Sequence, residues 1–182
     1  MNNEGKILAR FTKSLIAIGF VTLFSLPAAA EDVHISSKSP AVGAVTCYNT
    51  TRQENEAAVR ATNATRKQRG LGPLRAHDDL ALAAARHACD MARRSVMSHR
   101  GTKTSGPMQR LKKIGYKPRL AAENIAAGPW GQERVLIEWE RSSGHLANIL
   151  IPQIRHYGIG KAVGADGKTV FWAAVYSAPK RR

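Results

Sequence analysis

Acidic residues are scarce in this chain: 13 Asp and Glu stand against 28 Lys and Arg in 182 residues, a formal net charge of +15 at pH 7. A field of that sign attracts polyanions such as nucleic acid, acidic polysaccharide or anionic lipid headgroups. Aromatics make up only 6% of the chain, yet 43% is hydrophobic and 23% charged, which excludes disordered and fibrous classes. Long apolar runs are missing too. The best, Ser14 to Leu26, has 13 residues, short of the roughly 20 that span a bilayer as a helix, so a polytopic membrane protein is excluded. Neither a Gly-rich phosphate loop nor a βαβ rhythm is present, which argues against a doubly wound nucleotide binder. Nucleophilic acyl chemistry lacks its Gly-x-Ser-x-Gly elbow, and Ser142 or Ser143 near His145 has no visible third member to orient a base. Internal repeats are also absent.

What is present begins with an export signature. Lys6, Arg10 and Lys13 precede the apolar run, and Ala28-Ala29-Ala30 follows it, so residues 1–30 read as a cleavable signal peptide. The remaining chain carries 25 basic and 12 acidic residues, net +13, and no transmembrane segment. An exported product, periplasmic or extracellular, is expected. Its polyanionic partners would be envelope lipid or acidic polysaccharide, with no specific nucleic-acid recognition. In an oxidising compartment Cys47 and Cys89 read as one disulfide, worth about 4 kcal/mol in the chain-entropy model. A catalytic thiol or a metal ligand is the competing reading, but neither cysteine lies in a CxxC pair or beside a basic activating cluster.

Residues 31–52 mix Ser, Pro, Gly and Thr without periodicity and read as an N-terminal arm, residues 53–179 as one domain, and 180–182 as a basic tail. A helix is expected from Gln53 to Arg69, acids early and bases late, stopped by Gly70-Leu71-Gly72-Pro73. A second opens with Asp78 or Asp79 as N-cap and runs to about Ser95, with Leu80, Ala84, His87 and Met91 on one face and many alanines for close packing. Shorter helices are expected at 106–113 and 131–141, the latter with Val135, Leu136 and Trp139 as its apolar stripe. Tyr157–Val163 and Thr169–Tyr176 flank Gly164-Ala165-Asp166-Gly167, whose Asp-Gly signals an antiparallel hairpin. Helices first and strands later predict an α+β fold.

The histidines and carboxylates then fall in a telling order: Ser98-His99-Arg100-Gly101, Glu123-Asn124-Ile125, and Ser142-Ser143-Gly144-His145-Leu146-Ala147-Asn148. Together with Asn63, Gly70 to Leu74, His87 to Ala92, Arg110 to Tyr116 and Trp139, they resemble the CAP superfamily of cysteine-rich secretory proteins, antigen 5 and plant pathogenesis-related proteins, in its short bacterial, YkwD-like branch. The resemblance runs from about Gln53 to Pro179. It implies a three-layer α-β-α sandwich, a small antiparallel sheet flanked by helices, with a shallow groove that in the family holds two histidines and two glutamates. Here the matching positions are His99, Glu123 and His145. The second glutamate's place, three residues after Trp139, holds Ser142, which weakens any inherited metal chemistry.

Two imidazoles and one carboxylate are chemically suited to zinc or another divalent cation with an open fourth position. The intervals of 24 and 22 residues are not local metal spacings; only the resemblance joins these residues. The expectation is a binding module whose groove, built on His99, Glu123 and His145 with Asn148 beside them, takes a lipid, polysaccharide or other envelope ligand, with metal assistance as an option. No established catalytic activity is expected. One alternative is a metal-dependent hydrolase of peptide or envelope substrate in which Glu123, His99 and His145 do the chemistry. Another is a structural or interaction domain with no groove function. His87 reads as a hydrogen-bonded core histidine, His77 and His156 as surface or turn residues, Trp139 and Trp172 as core, and Trp130 as core or groove rim.

Overall fold

The computed structural model describes residues 43–180. The expected signal peptide at 1–30, His34 and the end of the basic tail lie outside the described residues. In chain order the elements are β1 (Thr46–Cys47), α1 (Arg52–Gln68), β2 (Arg75–Ala76), α2 (Asp78–Arg94), α3 (Pro107–Lys113), β3 (Pro118–Gly128), α4 (Gln132–Arg141), α5 (Ser143–Ile149), β4 (His156–Val163) and β5 (Val170–Pro179).

Local chemistry sets the helix ends. Thr51 and Glu54 form a reciprocal capping box at α1: Thr51 Oγ1 accepts the Glu54 amide (3.2 Å) and the Glu54 carboxylate accepts the Thr51 amide (2.9 Å). At α2 the cap is His77, whose Nδ1 accepts the Asp79 amide at 3.2 Å. This corrects the expected Asp78 or Asp79 cap: both acids sit in the first helical turn, where they face the positive end of the helix dipole. His77 and His156 are likewise not free surface residues. Their rings stack at 4.6 Å, and His156 Nδ1 meets the Tyr116 hydroxyl at 2.9 Å.

The strands form one sheet in the order β1-β4-β5-β3, with β2 also on β4. All pairings are antiparallel except the two-residue β2, which runs parallel to β4. The central strand shows why the fold is a sandwich. Phe171, Ala173 and Val175 face a core shared with α2 and α3, whereas Trp172, Ala174 and Tyr176 face a second core shared with α1, α4 and α5. Successive side chains point to opposite faces, and both faces are covered, so the strand is apolar from Val170 to Tyr176 without alternation.

The packing of α2 on the sheet depends on glycine. A Cβ on Gly158 would lie 2.1 Å from the Ala81 nitrogen, and one on Gly160 would lie 2.2 Å from the Ala85 nitrogen. The helix backbone thus rests directly on β4, with alanines on the helix and glycines on the strand. Cys47 and Cys89 form a disulfide, Cα–Cα 5.2 Å, that ties β1 to α2. Packing begins before Gln53: β1 pairs with β4, and the Thr50 hydroxyl donates to the Ile159 carbonyl at 2.7 Å.

Candidate functional site

The site forms where β3 ends the sheet. Glu123 and Asn124 are consecutive in this edge strand, so they serve opposite layers. Glu123 turns toward α2 and α3 and is buried. One carboxylate oxygen pairs with the Arg110 guanidinium, from α3; the other meets His99 Nδ1 at 2.9 Å. Arg110 also donates to the His99 carbonyl at 3.0 Å and to Thr104 Oγ1 at 3.2 Å. A single buried cation therefore neutralises Glu123 and anchors the loop that presents His99. The His99 side chain stays 55% exposed, which leaves a positioned imidazole facing solvent.

Asn124 organises the opposite layer. Its Nδ2 donates to the His145 carbonyl at 3.1 Å and to the Tyr176 hydroxyl at 3.2 Å, and its Oδ1 accepts from Asn148 Nδ2 at 2.9 Å. Asn148 Nδ2 also approaches the Glu123 carbonyl at 3.2 Å, so α5 covers part of the edge that β3 would otherwise leave unpaired. Asn148, expected beside the ligand, here braces the strand edge. His145 is half-buried, with Nδ1 lacking a hydrogen-bond partner. Burial pushes its imidazole below the ordinary range, and the charge of nearby His99 adds to this. His99 and Glu123 thus touch, and His145 reaches the same strand edge from the other layer.

The expected zinc set does not fit this arrangement. Both Glu123 oxygens are engaged, and a guanidinium beside them opposes a second cation. Among the described residues no three His, Cys, Asp or Glu side chains stand close enough to hold an ion.

Two contributors escaped the sequence reading. Arg110 lay inside a resembling motif with no role attached. His87 was expected to be a hydrogen-bonded core residue; it is 1% exposed, but neither ring nitrogen has a hydrogen-bond partner. Its Nε2 stands 3.6 Å from Glu123, and the Ser98 backbone favours its protonated form. Of the tryptophans, Trp139 and Trp172 are core, as expected. Trp130 packs on Gly128 and the second core, at the opposite part of β3 from Pro118.

With this geometry in place, the comparisons with known proteins are direct. The profile of the CAP family, described as the cysteine-rich secretory protein family, matches residues 59–176. YkwD of Bacillus subtilis strain 168 is 34% identical over 137 residues, which cover 72% of this chain and 53% of that protein; the chain spans about half the length of this relative. An outer surface protein of Borrelia burgdorferi superposes with a TM-score of 0.63 over 72% of this chain and 96% of that one; at 21% identity this attests the fold alone. An extracellular SCP-domain protein of Bacillus anthracis gives 0.60 at 25% identity, over 71% of this chain and 44% of that one. A profile match over well over half the chain, on an α-β-α sandwich shared with these structures, places the chain in the CAP family, as a domain of the bacterial YkwD type.

Proposed function

We propose that this chain is an exported binding module that captures a lipid or polysaccharide of the cell envelope in a groove centred on His99 and His145. The observation that carries this reading is the division of labour around Glu123. The buried carboxylate is held by Arg110 and serves to position the exposed His99 imidazole. Burial disfavours the charged form of His145, so the two imidazoles offer hydrogen-bond donors and acceptors suited to hydroxyl or headgroup oxygens. The surplus of basic residues would concentrate anionic envelope material near the groove. Export rests on the pattern of residues 1–30, and the neighbour described as an extracellular SCP-domain protein agrees with it.

The test is retention of envelope fractions by immobilised protein. A His99→Ala/His145→Ala variant, which leaves the Glu123–Arg110 pair intact, should retain markedly less material. Equal retention would remove the groove from the explanation and favour a structural or interaction domain. The hydrolase alternative has no supporting observation, since the carboxylate it needs is already engaged. Chelator-sensitive turnover, lost in His99→Ala and restored to the wild type by zinc, would revive it.

A further inference from the structure

A cleft of about 540 Å3 opens between α2, the turn at residues 101–104 and α3, with His87 in its lining. Its size is that of small-molecule sites. The lining carries one carboxylate, Asp90, against six cations: Arg86, Arg93, Arg94, Lys103, Arg110 and Lys113. Three of these are occupied. Arg110 pairs with Glu123, Arg94 pairs with Asp90, and Lys113 Nζ donates to the Lys103 carbonyl at 2.7 Å. Arg86, Arg93 and Lys103 are exposed and have no carboxylate partner among the described residues.

A second, independent feature points the same way. His87 lines the cleft and is 1% exposed, with both ring nitrogens unpartnered. Its Nδ1 faces Gly101, where an added Cβ would lie 3.6 Å away. A buried polar group without a partner is costly, and a bound ligand is one way to satisfy it. Ala83, Ile114 and the aliphatic stems of the basic side chains supply apolar wall.

We propose that this cleft is a second binding site, separate from the His99 groove, for a small organic phosphate monoester. Arg86, Arg93 and Lys103 hold its phosphate, the His87 imidazole donates to the same group, and its apolar body rests on Ala83 and Ile114. Three free cations and an imidazole N–H offer more donors than one carboxylate accommodates, and they match the three terminal oxygens of a phosphate monoester. The same chemistry could come from a soluble ester or from a phospholipid headgroup.

The experiment is titration of the full chain with phenyl phosphate, followed by amide chemical shifts and by calorimetry, with phenyltrimethylammonium as the charge-reversed control. Saturable one-to-one binding is expected, with shifts at residues 101–104 and Ile114. It should weaken about tenfold or more in Arg86→Gln/Arg93→Gln and again at high salt. Both arginines are exposed, so the variant should fold; Lys103→Glu provides an independent check of the same prediction. Equal affinity in the variants, equal binding of the cationic control, or shifts confined to His99 and His145 would overturn the proposal. Vesicles of phosphatidic acid that compete with phenyl phosphate identify a headgroup as the source, and vesicles that do not identify the free ester.

Discussion

Replacing Glu123 by alanine would leave the Arg110 guanidinium, 7% exposed, without its carboxylate. An uncompensated buried charge costs on the order of 3–5 kcal/mol, so thermal unfolding of Glu123→Ala should shift down by many degrees. His99→Ala, which trims a largely exposed ring, should shift it little; similar shifts for both would show that leaving Arg110 unpaired carries no particular cost. His87 gives a pH signature. Burial lowers its imidazole to about 4, opposed by Glu123 and reinforced by Arg110. The unfolded chain takes up this proton below about pH 6.5, whereas folded His87 refuses it until about 4. Its contribution to stability is therefore full above pH 6.5 and is lost as the pH falls toward 4, by up to about 3 kcal/mol. Denaturant unfolding at pH 7 and pH 5 should show a shallower pH dependence in His87→Gln than in the wild type; parallel curves would remove His87 as the cause.

Among elements, the α2–β4 contact is the most demanding. Because a Cβ at Gly160 would sit 2.2 Å from backbone atoms of Ala85, Gly160→Ala should destabilise by about 1–3 kcal/mol or more, as overpacking does. The matching change at exposed Gly72, where nothing lies within 4 Å, should be close to neutral by the same denaturation assay. The long helices were legible from the sequence because they carry periodic apolar faces and stop signals, and the β4–β5 hairpin because of its Asp-Gly turn. The short helices expected at 106–113 and 131–141 form as α3 and α4, whereas β1, β2, β3 and α5 were not legible. β3 places a polar pair, Glu123-Asn124, amid alanines and shows no alternation, since both of its faces are covered. α5 has seven residues including Gly144, too short to announce itself by propensity and held by the Asn124–Asn148 bonds. β1 and β2, at two residues each, exist only through pairing with β4.

For the molecule as a whole, the disulfide closes a separation of 42 residues and should contribute up to about 4 kcal/mol. Reduction, or Cys47→Ser/Cys89→Ser, should lower the unfolding temperature without abolishing the fold, because two apolar cores remain; an unchanged melting temperature would show that the bridge adds nothing to stability. The candidate site was legible only in part. Motif order named His99, Glu123 and His145, and the fold brings them to one strand edge. Arg110 was not foreseen as the counter-ion of Glu123, because a salt bridge across 13 residues leaves no periodic trace. That missed cation is what separates a positioned imidazole from a metal ligand set.

The unbroken apolar run at the start of β5 has a consequence once the layers part. Phe171 to Tyr176 is six residues without a charge, proline or glycine, the composition of segments that stack into cross-β fibrils. In the native sandwich this ribbon is shielded on both sides. In the denatured chain, mutual repulsion between like-charged copies is the principal safeguard against coalescence. Heating in concentrated salt, which screens that repulsion, should therefore turn a reversible melt into precipitation.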